Sequence, residues 1–238
     1  MSKLYIVGTP IGNLGDLSPR ARETLETADF IAAEDTRVTL KLLNHFGISK
    51  PMVSYYQHNL RERGEEIVNR IAAGESCALV TDAGMPAISD PGEDLVRLCA
   101  QRGIETVSVP GPTAALTALA LSGLSTSRFT FEGFLSTSRQ SRKEHLDSLR
   151  AERRTMIFYE APHKLRTTLG DLLEAFGDRK IALCRELTKL HEEVIRTTLE
   201  GAVERYRETA PRGEFVLVVE GAPPAAPSCE AAESIAFV

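Results

Sequence analysis

No tryptophan occurs in the 238-residue chain, and aromatic side chains make up only 6% of it. A broad stacking platform for unpaired bases is therefore not expected, because such surfaces need several exposed rings in series. The four cysteines, Cys77, Cys99, Cys184 and Cys229, are widely spaced, with no C-x-x-C pair and no histidine at ligand spacing. Neither a disulfide framework nor a metal centre is expected from that pattern. No apolar run approaches the ~20 residues that cross a bilayer. The opening MSKLYIVGTP passes from one lysine into a short strand-like run without a cleavage signal, so a cytoplasmic protein with no membrane attachment is expected. Phosphate-binding signatures are missing as well. Gly8, Gly12 and Gly15 follow a strand, but their spacing is not G-x-G-x-x-G, Pro10 removes an amide donor, and no G-K-[ST] follows any glycine loop.

Hydrophobic residues make up 42% of the chain, enough for packed cores. Short β-branched runs alternate with helical patterns, the signature of a mostly parallel sheet flanked by helices. KLYIVG, DFIAAE, PMVSYY, SCALVT and IETVSVP read as strands in the first half. Helix starts are marked by Ser18-Pro19, by Asp90-Pro91 with Glu93 three residues after Asp90, and by Gly111-Pro112. The small, polar stretch SGLSTS after Leu121 suggests a boundary between an N-terminal domain, 1–121, and a C-terminal domain, 127–221. The second half reads as strands at RFTFEGFL, RTMIFYEA, RKIALCREL, EEVIRTTL and GEFVLVVEG. Helices are expected near Arg139–Leu149, from Pro162 to Phe176 and around Tyr206. No long helix separates the strands near Ile181 and Val194, so the second sheet is expected to be mixed. The proline- and alanine-rich tail, 222–238, is expected to be poorly ordered.

In open α/β sheets, ligands bind beyond the carboxyl ends of strands. Three such exits here carry glycine and proline: VGTPIGNLGD, VTDAGMPAISDPG and VPGPTAAL. Their repetition favours one shared crevice. Asp82 leaves its strand directly and has two readings, a ligand contact or simple turn formation. Asp90 is expected to be the N-cap of the helix entered at Pro91. The chain carries a formal charge of -5, yet eight basic and four acidic residues fall between Ser136 and Arg166. Arg139, Arg142 and Lys143 in that segment are candidates for backbone phosphate contacts, with a solvated helix face as the alternative.

VGTPIGNLGD, AAEDTR, TDAGMPAISDPG, VPGPTA, YEAPH and RELTK, in that order from about Leu4 to about Gly221, resemble the ribosomal RNA small subunit methyltransferase I family, within the tetrapyrrole-methylase-fold enzymes. The family continues into a small helical C-terminal region, which the resemblance does not reach. The resemblance implies a two-domain α/β enzyme, a homodimer, with S-adenosylmethionine held in the cleft between its domains. The implied reaction belongs to ribosome biogenesis: methylation of the ribose 2'-oxygen of a decoding-centre cytidine in 16S rRNA, free or in the assembling small subunit. Cofactor contacts implied in the first domain are Pro10, the loop of Asp82, Ala83, Gly84, Pro86, Ala87 and Ile88, and Thr113 with Ala114. In the second domain they are Phe134, Tyr159, Leu187, Gly213, Glu214 and Phe215.

A sulfonium cofactor carries no phosphates, which agrees with the missing phosphate motifs. Glu34 and Asp35 of AAEDTR are candidates to accept or orient the hydroxyl proton, with Asn13 on the neighbouring loop and Arg37 as a phosphate contact. The competing reading is that Asp35 and Thr36 only cap the next helix. None of the histidines is assigned a catalytic role. Two other functions stay open: a methyltransferase of the same fold acting on a tetrapyrrole or a protein side chain, and a module that binds S-adenosylmethionine and RNA without catalysis.

Overall fold

The apolar runs of the first half become five parallel strands because each is joined to the next by an amphipathic helix long enough to return the chain to the same end of the sheet. In the computed structural model, which describes residues 2–57 and 59–224, these strands are β1 (Leu4–Val7), β2 (Phe30–Ala33), β3 (Met52–Ser54), β4 (Cys77–Val80) and β5 (Thr106–Val109). The helices between them are α1 (Pro19–Thr27), α2 (Thr36–His45), α3 (Leu60–Ala72) and α4 (Glu93–Gln101). The sheet order is β3-β2-β4-β1-β5, parallel throughout. Alternate residues of the central strands enter two cores. Leu4, Phe30, Ala32 and Leu79 pack with Ile67, Val68 and Leu95 of α3 and α4, whereas Val7, Ile31, Ala33 and Val80 pack with Ala21, Leu25 and Leu43 of α1 and α2. Coverage of both faces explains why these strands are continuously apolar rather than alternating.

The second half contains α5 (Ala114–Ser122), β6 (Phe129–Phe134), α6 (Arg139–Ser148), β7 (Thr155–Glu160) and α7 (Leu165–Phe176). It ends with β8 (Lys180–Arg185), β9 (Glu193–Thr198), α8 (Leu199–Glu208) and β10 (Phe215–Val219). The order is β6-β7-β10-β8-β9, with β6 parallel to β7 and every other pair antiparallel. The expected mixed sheet is present. Phe158, Leu169, Leu172, Leu183 and Leu217 form its main core under α6, α7 and α8. On the opposite face Ala118 and Leu119 of α5 pack against Ile157, Ala182 and Val218. The domain division between 121 and 127 remains a proposal: α5 precedes it in the chain yet lies on the second sheet.

Three helix starts fall later than expected. The Ser18-Pro19 cap forms, with the Ala21 amide donating to Ser18 Oγ at 3.0 Å. The other three begin at Ala114, Leu165 and Glu93, because Pro112, Pro162 and Pro91 each occupy the preceding turn. Of the tail expected to be poorly ordered, 225–238 lies outside the described residues, and so does Cys229. Among the described residues no helix is long and apolar enough to cross a membrane.

Phe158 is fully buried at the centre of the second core. Phe158→Ala should lower unfolding free energy by about 3–5 kcal/mol, through lost transfer energy and an unfilled cavity. Urea denaturation followed by far-UV circular dichroism would measure the loss.

Candidate active site

Because β1 lies between β4 and β5, the three glycine-proline exits leave the first sheet side by side. The Thr9 amide donates to the Gly84 carbonyl at 2.9 Å and the Gly84 amide to the Thr9 carbonyl at 3.1 Å, which ties the first exit to the second. The first and third exits touch backbone to backbone. A Cβ on Gly8 would lie 2.7 Å from Gly111 Cα, so a side chain there would force the loops apart. At its tip the first exit meets the second domain, where a Cβ on Gly12 would lie 2.9 Å from Thr188 Oγ1 in the β8–β9 loop.

Between the two sheets this leaves a cleft of about 700 Å³. Ile11, Met85, Phe131, Tyr159, Leu187 and Val216 give it an apolar lining. Tyr159 is held by Phe131 and Phe134 at ring-centroid distances of 5.1 and 5.5 Å, and its hydroxyl accepts from the Ala115 amide at 3.2 Å. Four non-glycine residues around the cleft have left-handed backbones: Ala87 (φ 68°) and Ser89 (φ 64°) in the β4 exit, Glu186 (φ 51°) and Thr188 (φ 65°) after β8. Such conformations cost of order 1 kcal/mol or more each and persist only where surrounding contacts fix them.

The acidic end of the cleft is built around Thr81. Its hydroxyl donates to Glu34 Oε2 at 2.5 Å, and the Asp90 carboxyl lies beside it. The Asp82 amide lies 3.4 Å from Glu34 Oε2, and the Asp35 amide donates to Asp82 Oδ1 at 3.2 Å. Burial first, and the Glu34 carboxylate second, push the Asp90 carboxyl up to about 6 and raise that of Asp82. Asp90 is therefore not the N-cap expected from D-P-G-E. The residue before α4 is Gly92, which has no side chain to cap with, and the reversed backbone at Ala87 and Ser89 leaves Asp90 lining the cleft. Sequence reasoning missed this because the left-handed turns that redirect the loop occur at residues with no preference for them.

Of the residues expected to contact a cofactor, Asp82, Ala83, Gly84, Ile88, Thr113 and Ala114 line the cleft on the first-domain side. Phe134, Tyr159, Leu187, Glu214 and Phe215 line it on the other. Pro10, Pro86, Ala87 and Gly213 do not line it; Pro10 and Pro86 are buried within their loops. Glu34 lines the cleft, whereas Asp35 and Asn13 do not. Asp35 caps α2, accepting from the Arg37 amide at 2.8 Å, and receives the Arg37 guanidinium at 3.0 and 2.6 Å. These bonds from Arg37 pull the Asp35 carboxyl down to about 2. Asn13 caps a single 3-10 turn by accepting from the Gly15 amide at 3.0 Å.

The basic segment also differs from expectation. Arg142 is 12% exposed and bound to Asp171 at 2.5 Å and Thr168 at 2.7 Å, so it joins α6 to α7 rather than facing solvent. Lys143 pairs with Asp147 at 2.6 Å, and Arg154 with Glu152. Arg139 is exposed and makes no ion pair among the described residues. Of the eight cations in this segment, Arg142, Lys143, Arg150 and Arg154 are paired to carboxylates.

A family model for the tetrapyrrole (corrin/porphyrin) methylases matches residues 3–203. The cobalamin biosynthetic enzyme cobalt precorrin-4 methyltransferase has the same fold, with a TM-score of 0.67 at 19% identity over 92% of this chain and 95% of that one. Diphthine synthase gives 0.69 at 18% identity, over 92% and 90%. The chain is thus a member of the tetrapyrrole methylase family. Closer relatives carry one shared name, ribosomal RNA small subunit methyltransferase I. The protein from Synechocystis sp. is 53% identical over 94% of this chain and 81% of its own length, and that from Thermotoga maritima 47% identical over 93% and 99%. Within the tetrapyrrole methylases, the chain belongs to the ribosomal RNA small subunit methyltransferase I family.

Since the folded Asp90 holds its proton more tightly than an unfolded aspartate of pKa near 4, its contribution to stability is lost as pH rises from about 4 to about 6. Asp90→Asn should leave stability unchanged near pH 3.5 and raise it by on the order of 1–2 kcal/mol above pH 6.5, once solvent screening is allowed for. Paired urea titrations of both proteins across that range would check the sign and the window.

Proposed function

We propose that this chain transfers a methyl group from S-adenosylmethionine to the ribose 2'-oxygen of a decoding-centre cytidine in 16S rRNA. One observation carries the cofactor assignment: the charged side chains lining the cleft are the carboxylates of Glu34, Asp82, Asp90, Glu160, Glu186 and Glu214 against the single ammonium of Lys189. That ammonium is itself bound to Glu186 at 2.9 Å and Glu214 at 2.7 Å. Such a lining attracts a cation and repels a polyphosphate, so the residues fit a cofactor bearing a sulfonium and an ammonium. When bound, S-adenosylmethionine supplies the electrophilic methyl group. The choice of RNA and nucleotide is supported by the likeness to relatives of that name.

In this reading Asp82, Ala83, Gly84, Ile88, Thr113 and Ala114 hold the cofactor from one side. Phe134, Tyr159, Leu187, Glu214 and Phe215 hold it from the other. The apolar lining keeps water from competing with the ribose hydroxyl. Glu34 is the proton acceptor or orienting group, because it faces the cleft beside Thr81, with Asp90 as its neighbouring carboxylate. Asp35 is a weaker candidate, being held ionised by Arg37 outside the cleft. A cytoplasmic homodimer acting on free rRNA or on the assembling small subunit belongs to the same reading, supported by the family resemblance.

The direct test is transfer of a labelled methyl group to small ribosomal subunits and to naked 16S rRNA that both lack the modification. Label on one cytidine 2'-oxygen is expected. Measurable cofactor binding with no RNA labelling would refute the assigned acceptor.

Replacing the two neighbouring carboxylates separates their roles. Glu34→Gln should reduce kcat by roughly 100-fold or more, the usual range for loss of a positioned base. Asp35→Ala should cost about 1 kcal/mol of stability through the lost helix cap, with a much smaller effect on kcat. Equal kcat for Glu34→Gln and the parent protein would remove Glu34 from the mechanism.

A further inference from the structure

An acid-lined cleft poses an electrostatic problem for an RNA methyltransferase, since the substrate is a polyanion that must approach it. The basic helix α6 does little to solve it, with Arg142 and Lys143 both paired to carboxylates. A second cavity, of about 370 Å³, has the opposite charge. It lies under the end of β8 and is lined by Arg185, Arg205, Tyr206, Thr209 and Arg212, with Glu193 as its one carboxylate.

Both strand register and alternation place this cavity around the corner from the cleft. Arg185 sits opposite Phe215 in the β8–β10 ladder, between Cys184 and Glu186, which both line the cleft. Successive side chains on a strand point to opposite faces, so Arg185 turns toward α8 while its neighbours turn toward the cleft. Arg212 precedes Gly213 and Glu214, and its carbonyl accepts from Arg185 Nη1 at 3.4 Å. The cavity and the cleft therefore share the same end of the second sheet.

The cations in the cavity are not fully compensated. Glu193 accepts from Arg185 Nε at 3.1 Å and from Arg205 Nη2 at 3.0 Å, so one carboxylate serves two guanidinium groups. Arg212 is exposed and has no ion pair among the described residues. The Thr209 side chain and the Tyr206 hydroxyl, which is hydrogen-bonded to Arg205, lie beside them. Guanidinium forks and hydroxyls around a concave surface match the tetrahedral oxygens of a phosphate diester.

We propose that this arginine-lined cavity binds a backbone phosphate of the substrate RNA and anchors the strand beside the cleft. The proposal rests on the RNA-methyltransferase reading above. It separates the two electrostatic tasks: carboxylates hold the cationic cofactor inside the cleft, and arginines on the outer face of the same sheet end hold the anionic substrate.

The test uses the full chain with Arg205→Gln and Arg212→Glu combined, both at exposed positions, and retains Arg185 to keep Glu193 paired. Affinity for naked 16S rRNA is measured by filter binding from 50 to 300 mM KCl, and S-adenosylmethionine affinity by calorimetry. The variant should bind RNA roughly tenfold or more weakly at 100 mM salt, with the slope of log affinity against log salt reduced by about 1.5. Its S-adenosylmethionine affinity should stay within twofold of the parent. Unchanged RNA affinity and salt slope would overturn the anchor, while methylation by the parent protein left the parent reading standing. If instead the parent protein neither bound nor methylated the RNA, both would fall together. Tight inorganic phosphate binding that the variant lost without any change in RNA affinity would reassign the cavity to a small free anion and also overturn the proposal.

Discussion

The pair of backbone hydrogen bonds between Thr9 and Gly84 is the constraint on which the rest of the site depends. It joins the exits of two neighbouring parallel strands beyond the point where the sheet ends. Ordinary loops at such positions are mobile, because their backbone groups bond only to water. Here the bridge fixes the start of the β4 exit, and the Gly8–Gly111 contact fixes the β5 exit against the β1 exit. With the three loops held, Thr81 can lie between Glu34 and Asp90, and the β1 exit can reach the β8–β9 loop of the second domain.

Charge is distributed with a corresponding economy. The cleft gathers carboxylates in a partly desolvated space, where burial first and their mutual repulsion second raise the affinity of Asp82 and Asp90 for protons. That is a standing cost to the folded chain, tolerable because a cationic ligand would relieve it. The left-handed backbones at Ala87, Ser89, Glu186 and Thr188 add a second cost in the same place. Both kinds of strain are confined to loops, while the strands and helices that carry them are regular and closely packed. This division lets a site be strained without weakening the scaffold.

Arg142 shows how charge along a sequence can mislead. Its neighbours Arg139 and Lys143 are exposed, and linear counting gives the whole segment a positive excess. The individual candidates are nevertheless engaged, because helical periodicity sets Lys143 beside Asp147, and because α7 brings Asp171 and Thr168 to Arg142 from another part of the chain. Arg185, Arg205 and Arg212 have the opposite history. They are scattered in sequence among acidic residues and collect in one cavity only when β8, α8 and the chain before β10 come together.

The sequence by itself determined the order and kind of nearly every element. Strand identity follows from short apolar runs and helix identity from amphipathic period, both of them local properties. It also located the three glycine-proline exits and the family, because those motifs are contiguous. What only the tertiary structure decided is the role of individual polar side chains. Asp90 was legible as a cap, since D-P-G-E has the local chemistry of one, but two left-handed residues turn it into the cleft. Asp35 and Glu34 are adjacent and chemically alike, yet one is held by Arg37 on its own helix and the other by Thr81 across the sheet. Long-range partners, burial and backbone reversals set those roles, and none of these is encoded within the few residues that surround the side chain.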